Sequence, residues 1–275
     1  MTSGLTNHPA AVAAVSGAVW IVDLDGVIWL SGTPIGDVSG AVNRLTSAGV
    51  TVAFVTNNSA PTLDELRARL ANIGIHVGHD DLISSSAAAA SLVSPGTNVA
   101  VVGEQGLVEA IERRGALVGN DGPYGAAVVG WNRLFDFKML SSVATAARES
   151  GCLIGTNEDP THPTPDGLVP GAGSLLAAVA TASGVTPVVA GKPHAPIVDL
   201  LRTRFDLGAP GRSAVVVGDQ PGTDGRLAAA LGLPFALVDS GVTLPGTPVT
   251  DVAVASRTPD FVTLVERALL AAQAS

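Results

Sequence analysis

Two acidic residues stand directly at the end of an apolar run, and this feature constrains the fold more than any other. Residues 19–22 are continuously apolar, which is typical of a strand buried on both faces of a parallel sheet. Asp23, Asp25 and Gly26 follow. Because strand side chains alternate, the two carboxylates are expected on one face, beyond the strand end where open sheets bind ligands. The segment predicts a magnesium and phosphate site; alone, it could also be a polar strand end that enters a turn.

Three further apolar runs end in polar residues that suit the same chemistry. With Asp23 they would supply a nucleophile, phosphate donors, a cation and a metal ligand, and chance is a poor explanation for four such segments. The residues concerned are Thr56, Asn57 and Asn58 after the run 52–55, Lys192 after the run 188–190, and Asp219 and Asp224 after the run 214–217.

Strand-like and helical patterns alternate along the chain, which favours an α/β fold with a doubly wound, Rossmann-like parallel sheet. Thr62 and Glu65 have the spacing of a capping box and predict a helix from there to about residue 73. Residues 83–184 contain none of the polar strand ends described above. We therefore predict a catalytic core of residues 1–82 and 185–275 with a smaller α/β cap domain, 83–184, inserted in it. The alternative is one continuous sheet. Pro and Gly cluster in 159–173, which predicts a loop.

Composition limits the partners and the location of the protein. The net charge of −9 makes a nucleic acid an unexpected partner. Only two lysines are present, Lys138 and Lys192. Lys192 follows a strand-like run, which makes it the stronger candidate for a functional role. A single cysteine, Cys152, excludes an intrachain disulfide and fits a reducing compartment. No apolar stretch reaches the roughly 18–20 residues that a bilayer requires, so we expect no membrane contact and a cytoplasmic protein.

The four segments resemble the four motifs of the haloacid dehalogenase superfamily of phosphatases. Trp29 after Asp-Gly-Val-Ile, the sequence Phe-Val-Thr-Asn-Asn-Ser, and the later Thr-Asn-Glu-Asp and Pro-Gly-Ala-Gly-Ser are similar to its para-nitrophenylphosphatase-like branch. That branch includes phosphoglycolate, glycerol-phosphate and pyridoxal phosphatases. The resemblance implies a cap domain, a small phosphorylated metabolite as substrate and a possible homodimer formed through the cap.

The resemblance also implies a role for each motif residue. Asp23 would attack phosphorus to form an aspartyl-phosphate, and Asp25 would act first as general acid and then as general base. Mg²⁺ would be held by the Asp23 carboxylate, the Asp25 backbone carbonyl and Asp219. The remaining assignments are phosphate binding by Thr56, Asn57 and Lys192, loop orientation by Asn58, support of a metal-bound water or of Lys192 by Asp224, and substrate contact by His162.

The fourth motif departs from the usual family pattern. Gln220, Pro221 and Gly222 stand where the family usually has Arg-Leu-Asp, so a charge pair is lost while Asp219 and Asp224 remain. The departure affects the expected rigidity of the loop, its metal affinity and the natural substrate more than the reaction class.

Several functions remain open at this point. The leading hypothesis is hydrolysis of a polyol, sugar or glycolate phosphate. A phosphotransferase or mutase of the same superfamily would use the same residues, and a catalytically idle phosphometabolite-binding protein could carry the altered fourth motif. A dehalogenase needs neither the second carboxylate nor a metal, so Asp25 and Asp219 weigh against it.

Overall fold

The computed structural model describes residues 15–119, 122–164 and 167–274. The chain divides into two compact units. The first comprises residues 1–55, 70–82 and 201–275, and the second comprises residues 56–69 and 83–200. This division differs from the predicted one in two segments, 56–69 and 185–200, which lie in the second unit. The predicted limits of the cap, 83 and 184, stay a prediction.

The strands are short and most are followed by a helix. They are β1 (Val19–Asp23), β2 (Trp29–Leu30), β3 (Thr33–Pro34), β4 (Thr51–Thr56), β5 (Leu82–Ser84), β6 (Asn98–Val102), β7 (Leu117–Val118), β8 (Ala126–Val129), β9 (Leu153–Gly155), β10 (Thr161–Thr164), β11 (Gly167–Pro170), β12 (Val188–Val189), β13 (Ala214–Gly218), β14 (Phe235–Val238) and β15 (Ser256–Thr258).

The helices include the one predicted from Thr62 to about residue 73. They are α1 (Val38–Ser47), α2 (Leu63–Asn72), α3 (Ser85–Ser91), α4 (Gln105–Arg113), α5 (Phe137–Ser150), α6 (Ala172–Ser183), α7 (Ala195–Phe205), α8 (Arg226–Leu231) and α9 (Phe261–Gln273). Within the described parts of the chain, none of them combines the length and the apolar character that crossing a membrane requires.

The first unit is built on a six-stranded sheet in the order β15-β14-β13-β1-β4-β5. Strand β1 pairs in parallel with both β13 and β4, and Val22 lies opposite Val217 on one side and Phe54 on the other. All five residues of β1 are buried, as a central parallel strand requires. The chain winds outward from β1 to β4 and β5, and later from β13 to β14 and β15. The switch point of this doubly wound sheet therefore lies between β1 and β13, and the predicted fold class is confirmed.

The second unit contains a five-stranded sheet in the order β12-β9-β8-β6-β7, with parallel pairing throughout. Helices α5 and α6 pack against each other, and a cluster that includes Val129, Leu153, Leu176 and Val179 forms the core beneath them. Small side chains on both helices, among them Ala144 and Ala147 of α5 and Ala180 of α6, allow this close packing.

The prediction of a loop over 159–173 is wrong. Strands β10 and β11 form an antiparallel hairpin in which His162 lies opposite Val169, and α6 begins at Ala172. Pro163, Gly167 and Pro170 lie in this two-stranded ribbon, where backbone groups can remain unpaired on the outer edges.

The predicted capping box at the start of α2 is confirmed. Thr62 Oγ1 accepts a hydrogen bond from Glu65 N at 3.1 Å, and Thr62 N donates to Glu65 Oε2 at 2.9 Å. The pair satisfies two of the backbone N–H groups that every helix start leaves without an intrahelical partner.

Replacing Thr62 by Ala removes the hydroxyl that caps α2. We expect the free energy of unfolding to fall by about 1 kcal/mol, measured by urea denaturation. Thr62→Ser keeps the hydroxyl and should restore most of the loss. Thr181→Ala, at an exposed position inside α6, is the matched control and should stay within about 0.5 kcal/mol of the wild type. Equal losses in the two Thr→Ala variants would contradict the capping role.

Candidate active site

Asp23 and Asp219 lie at the switch point of the first unit's sheet. Asp23 is the last residue of β1, and Asp219 directly follows β13, its parallel neighbour. Both side chains are buried, with 8% of Asp23 and 0% of Asp219 exposed. Two acids that sequence separates by almost two hundred residues therefore meet where open α/β sheets bind their ligands.

Asp224 joins these two acids through an unusual turn. Residues Pro221–Gly225 form one turn of π-helix, in which the Gln220 carbonyl accepts from Asp224 N at 2.8 Å. The Asp224 carboxylate also contacts Gln220, since its Oδ2 accepts a hydrogen bond from Gln220 N at 3.1 Å. The departure from the family motif at 220–222 thus gives an ordered turn held by backbone contacts.

One carboxylate oxygen from each of Asp23, Asp219 and Asp224 lies within 4.8 Å of the other two. We call these three residues the acid cluster. Sequence reasoning placed Asp224 outside the metal's direct ligands, whereas the structure places one of its oxygens within 4.8 Å of an oxygen of each of the other two acids. The supporting role of Asp224 stays a prediction.

Glycines let the backbone close around the acid cluster. Asp219 Oδ2 accepts from Val242 N at 2.5 Å. A Cβ atom on Gly26 would stand 2.5 Å from the same oxygen, and a Cβ atom on Gly241 would be closer still. Ser240 Oγ donates to the Gly26 carbonyl at 2.6 Å, which ties the two loops together. The backbone thus fixes one Asp219 oxygen by close contact.

The acid cluster fits a hard divalent cation. Its donors are all carboxylate oxygens, the ligands that Mg²⁺ and Ca²⁺ take in proteins. Three carboxylates that are each at least nine-tenths buried repel one another strongly in a medium of low dielectric constant. A bound divalent cation would relieve this repulsion.

Asp25 has a different environment from Asp23. It lies beyond the end of β1, in a turn in which the Leu24 carbonyl accepts from Ile28 N at 2.9 Å. The strand alternation used to place the two acids on one face therefore does not extend to Asp25. Its side chain is exposed, and its Oδ1 accepts from Trp29 Nε1 at 2.9 Å. Metal binding by its backbone carbonyl stays a prediction.

In the second unit, Thr56 and Asn58 shape the turn that leaves β4. Thr56 Oγ1 accepts from Asn58 N at 3.0 Å, and Asn58 Oδ1 accepts from Ala60 N at 3.1 Å. Thr56 is 1% exposed. These contacts connect both side chains to the backbone of the loop, and loop orientation by Asn58 stays a prediction.

Asn57 binds the backbone of Lys192 with its side chain. Its Oδ1 accepts from Lys192 N at 2.8 Å, and its Nδ2 lies 3.3 Å from the Lys192 carbonyl and 3.3 Å from Asp159 Oδ2. The Asn57 carbonyl accepts from Ser85 Oγ at 2.7 Å and from Asn157 Nδ2 at 2.8 Å. The loop after β4 and the segment that contains Lys192 are therefore hydrogen bonded to each other within this unit. Lys192 is only 3% exposed.

Ser85 and Asn157 were not predicted as members of this network. Both are polar and buried, and both lie at strand ends, Ser85 after β5 and Asn157 two residues after β9. The signal that identified Thr56 and Lys192, a polar residue after an apolar run, was therefore present for Asn157 as well.

His162 lies in β10, and its ring contacts that of Trp131 with 4.9 Å between centroids. Trp131 Nε1 donates to the Pro170 carbonyl at 3.0 Å, so the indole contacts both strands of the β10–β11 hairpin. Substrate contact by His162 stays a prediction.

Two shifted titratable groups lie outside the acid cluster. Burial raises the pKa of the Cys152 thiol, which makes it a poor nucleophile at neutral pH. Burial, and then the neighbouring Asp80, raise the pKa of Asp81. Neither Cys152 nor Asp81 is one of the predicted site residues.

Gly26→Ala tests whether the close approach at Asp219 matters. Gly26 has φ +85° and Gly32 has φ +82°, but a Cβ atom on Gly32 would meet nothing within 4 Å. Both substitutions carry the cost of a left-handed backbone, about 1 kcal/mol, and only the change at Gly26 adds a collision. We expect a lower melting temperature for Gly26→Ala than for Gly32→Ala in thermal denaturation, and equal values would contradict the packing described.

Comparisons with known proteins agree with this arrangement. Family models described as haloacid dehalogenase-like hydrolase and HAD-hydrolase-like match residues 20–116 and 189–266. The chain is 37% identical to a D-glycerol 3-phosphate phosphatase of Mycobacterium tuberculosis over 81% of its own length, and spans 63% of the length of that enzyme. It is 31% identical to the 5'-nucleotidase YutF of Bacillus subtilis, over 82% of this chain and 88% of that one.

Solved structures show the same fold. A p-nitrophenyl phosphatase from Archaeoglobus fulgidus superposes with a TM-score of 0.83 at 30% identity, covering 91% of this chain and 99% of that one. A glycerol phosphate phosphatase from Mycobacterium tuberculosis, in complex with magnesium, superposes with a TM-score of 0.77 at 32% identity, covering 90% and 75%. These relatives confirm the resemblance to phosphatases that the motifs indicated. The chain belongs to the haloacid dehalogenase-like hydrolases.

Proposed function

We propose that the chain is a Mg²⁺-dependent phosphomonoesterase that hydrolyses a small phosphorylated metabolite through an aspartyl-phosphate on Asp23. The acid cluster supports this proposal, because the buried Asp23 carboxylate lies beside two carboxylates of the kind that bind divalent cations. A bound Mg²⁺ would supply positive charge to offset the repulsion between a carboxylate and a phosphate dianion.

In the first step, an oxygen of the Asp23 carboxylate attacks phosphorus and the ester P–O bond breaks. Asp25 gives its proton to the departing alkoxide. In the second step, water attacks phosphorus, the bond from phosphorus to the Asp23 oxygen breaks, and Asp25 takes the proton of that water. Inorganic phosphate leaves and both carboxyl groups return to their starting state.

The different surroundings of the two acids support this assignment. Asp23 is buried in the acid cluster, whereas Asp25 is exposed and hydrogen bonded to an indole. A carboxyl group that delivers and receives protons benefits from freedom from the cation, which would hold it ionised.

Lys192, Thr56 and Asn57 are proposed to bind the phosphate oxygens. Burial of the Lys192 side chain supports this role, since a desolvated ammonium attracts an anion more strongly than one in water. The Asn57 side chain acts on the Lys192 backbone and is therefore proposed to position that residue. Its own backbone N–H is the group proposed to meet the phosphate.

The substrate is proposed to be a polyol or sugar phosphate. The support is the 37% identity to an enzyme named for D-glycerol 3-phosphate, and relatives at 28% identity are named acid sugar phosphatases. A screen of polyol, sugar, glycolate and nucleotide monophosphates, ranked by kcat/KM, tests this choice, and a nucleotide at the top would overturn it. The cytoplasmic location and a homodimer formed through the cap stay predictions.

Asp23→Asn removes the proposed nucleophile with little change in shape. We expect kcat for phosphate release from p-nitrophenyl phosphate with Mg²⁺ to fall by about 10⁴-fold or more. Asp260→Asn is the matched control: Asp260 caps α9 through Thr263 N at 2.7 Å, and Asn caps helices equally well. Retained activity in Asp23→Asn, with no labelled aspartyl-phosphate trapped from the wild type, would refute the covalent route.

The two lysines provide a matched pair for the phosphate-binding role. Lys192 is buried and Lys138 is exposed on α5. Because a preorganised cation contributes most in the transition state, Lys192→Ala should lower kcat/KM by about 10²-fold, and Lys138→Ala should leave it unchanged. Steady-state kinetics with p-nitrophenyl phosphate checks both values, and similar kinetics in the two variants would remove Lys192 from the site.

A further inference from the structure

We propose that Trp29 is a positioning residue for Asp25. Its indole N–H holds one oxygen of the Asp25 carboxyl group and so orients the carboxyl group for proton exchange with the leaving group and with water. This inference rests on the proposed function of Asp25 as general acid and base. It gives a role in the reaction to Trp29, which is not among the predicted site residues.

The contact has a fixed donor and a fixed acceptor. Trp29 Nε1 lies 2.9 Å from Asp25 Oδ1. An indole nitrogen can only donate a hydrogen bond, so Oδ1 must accept in both protonation states of the carboxyl group. The contact can therefore hold the same oxygen before and after a proton is transferred.

The indole is held more firmly than the carboxyl group that it binds. Trp29 is 5% exposed, whereas Asp25 is exposed. The Trp29 backbone is fixed at both ends, since its N–H donates to the Leu24 carbonyl at 3.2 Å and its carbonyl accepts from Gly26 N at 2.7 Å. The hydrogen bond from this buried ring restricts the rotamers of the exposed Asp25 side chain.

Local chain geometry brings the two residues together. Residues 24–29 form a tight turn, and the backbones of Asp25 and Trp29 form an isolated β-bridge at its base. Trp29 then opens β2, where it pairs with Pro34 of β3. The turn that follows β1 thus places Asp25 and the Trp29 indole next to each other.

This role predicts that the leaving group decides how much Trp29 matters. An alkoxide needs a proton to depart, so its ester depends on an oriented general acid. The p-nitrophenolate anion is stable without a proton, so its ester does not. The ratio kcat/KM reports only the steps up to formation of the aspartyl-phosphate, which excludes the later use of Asp25 as a base.

The experiment compares Trp29→Phe with the wild type on glycerol 3-phosphate and on p-nitrophenyl phosphate, both with Mg²⁺. We expect kcat/KM to fall by about 10-fold for glycerol 3-phosphate, a part of what a general acid contributes, and by less than about 2-fold for p-nitrophenyl phosphate. Trp20→Phe is the matched control in the same unit, because Trp20 is buried and packs edge to face on Phe261. Any loss there should be equal for the two substrates.

A double-mutant cycle asks whether the effect passes through Asp25. In an Asp25→Asn background, adding Trp29→Phe should change kcat/KM for glycerol 3-phosphate by less than about 2-fold. If Trp29→Phe is too unstable to assay, benzothienylalanine at position 29 replaces only the N–H by sulfur in a ring of the same shape and should give the same substrate-dependent loss.

Equal losses on both substrates, no loss on either, or a full effect of Trp29→Phe in the Asp25→Asn background would each overturn the positioning role. Failure of the proposed function is distinguishable, because a wild-type protein that releases no phosphate from either ester would show it before any variant is made.

Discussion

The rest of the site depends on the close approach of three buried carboxylates, those of Asp23, Asp219 and Asp224. Like charges at this separation repel each other when water is excluded, so the rest of the fold must hold the three carboxylates close together. The parallel register of β1 and β13 brings the first two together, and the π-helical turn brings in the third. The absence of a side chain at Gly26 and Gly241 lets the surrounding loops close on Asp219. A divalent cation is the partner that this arrangement suits.

Acids two residues apart in sequence acquire different chemistry because the strand ends between them. Asp23 still belongs to β1 and is buried beside Asp219, whereas Asp25 lies in the following turn, exposed and bonded to Trp29. Pairs of titratable groups in contrasting surroundings commonly divide the roles of nucleophile and proton carrier. In this chain the end of β1 between the two acids, together with the pairing of β1 and β13, produces that contrast.

Much of this could be predicted from the sequence because the signals are local. Apolar runs that end in polar residues identified β1, β4 and β13, and the Thr62–Glu65 spacing identified the start of α2. The β10–β11 hairpin was missed because its Pro and Gly content is typical of a loop, and α6 was missed because its Ala-rich sequence has no side-chain cap. Asn157 follows an apolar run and could have been noticed, but its contact and that of Ser85 with Asn57 join residues far apart in sequence and could not be predicted locally.

Isothermal titration of the metal-free protein with Mg²⁺ tests the central claim most directly, because it measures the cation at the acid cluster without relying on turnover. The arrangement predicts that the wild type binds Mg²⁺ and that Asp219→Asn, which removes one buried charge, binds it at least about 10-fold more weakly. Asp260→Asn should bind as the wild type does. Absence of Mg²⁺ binding to the wild type, or equal affinity in Asp219→Asn, would contradict the account.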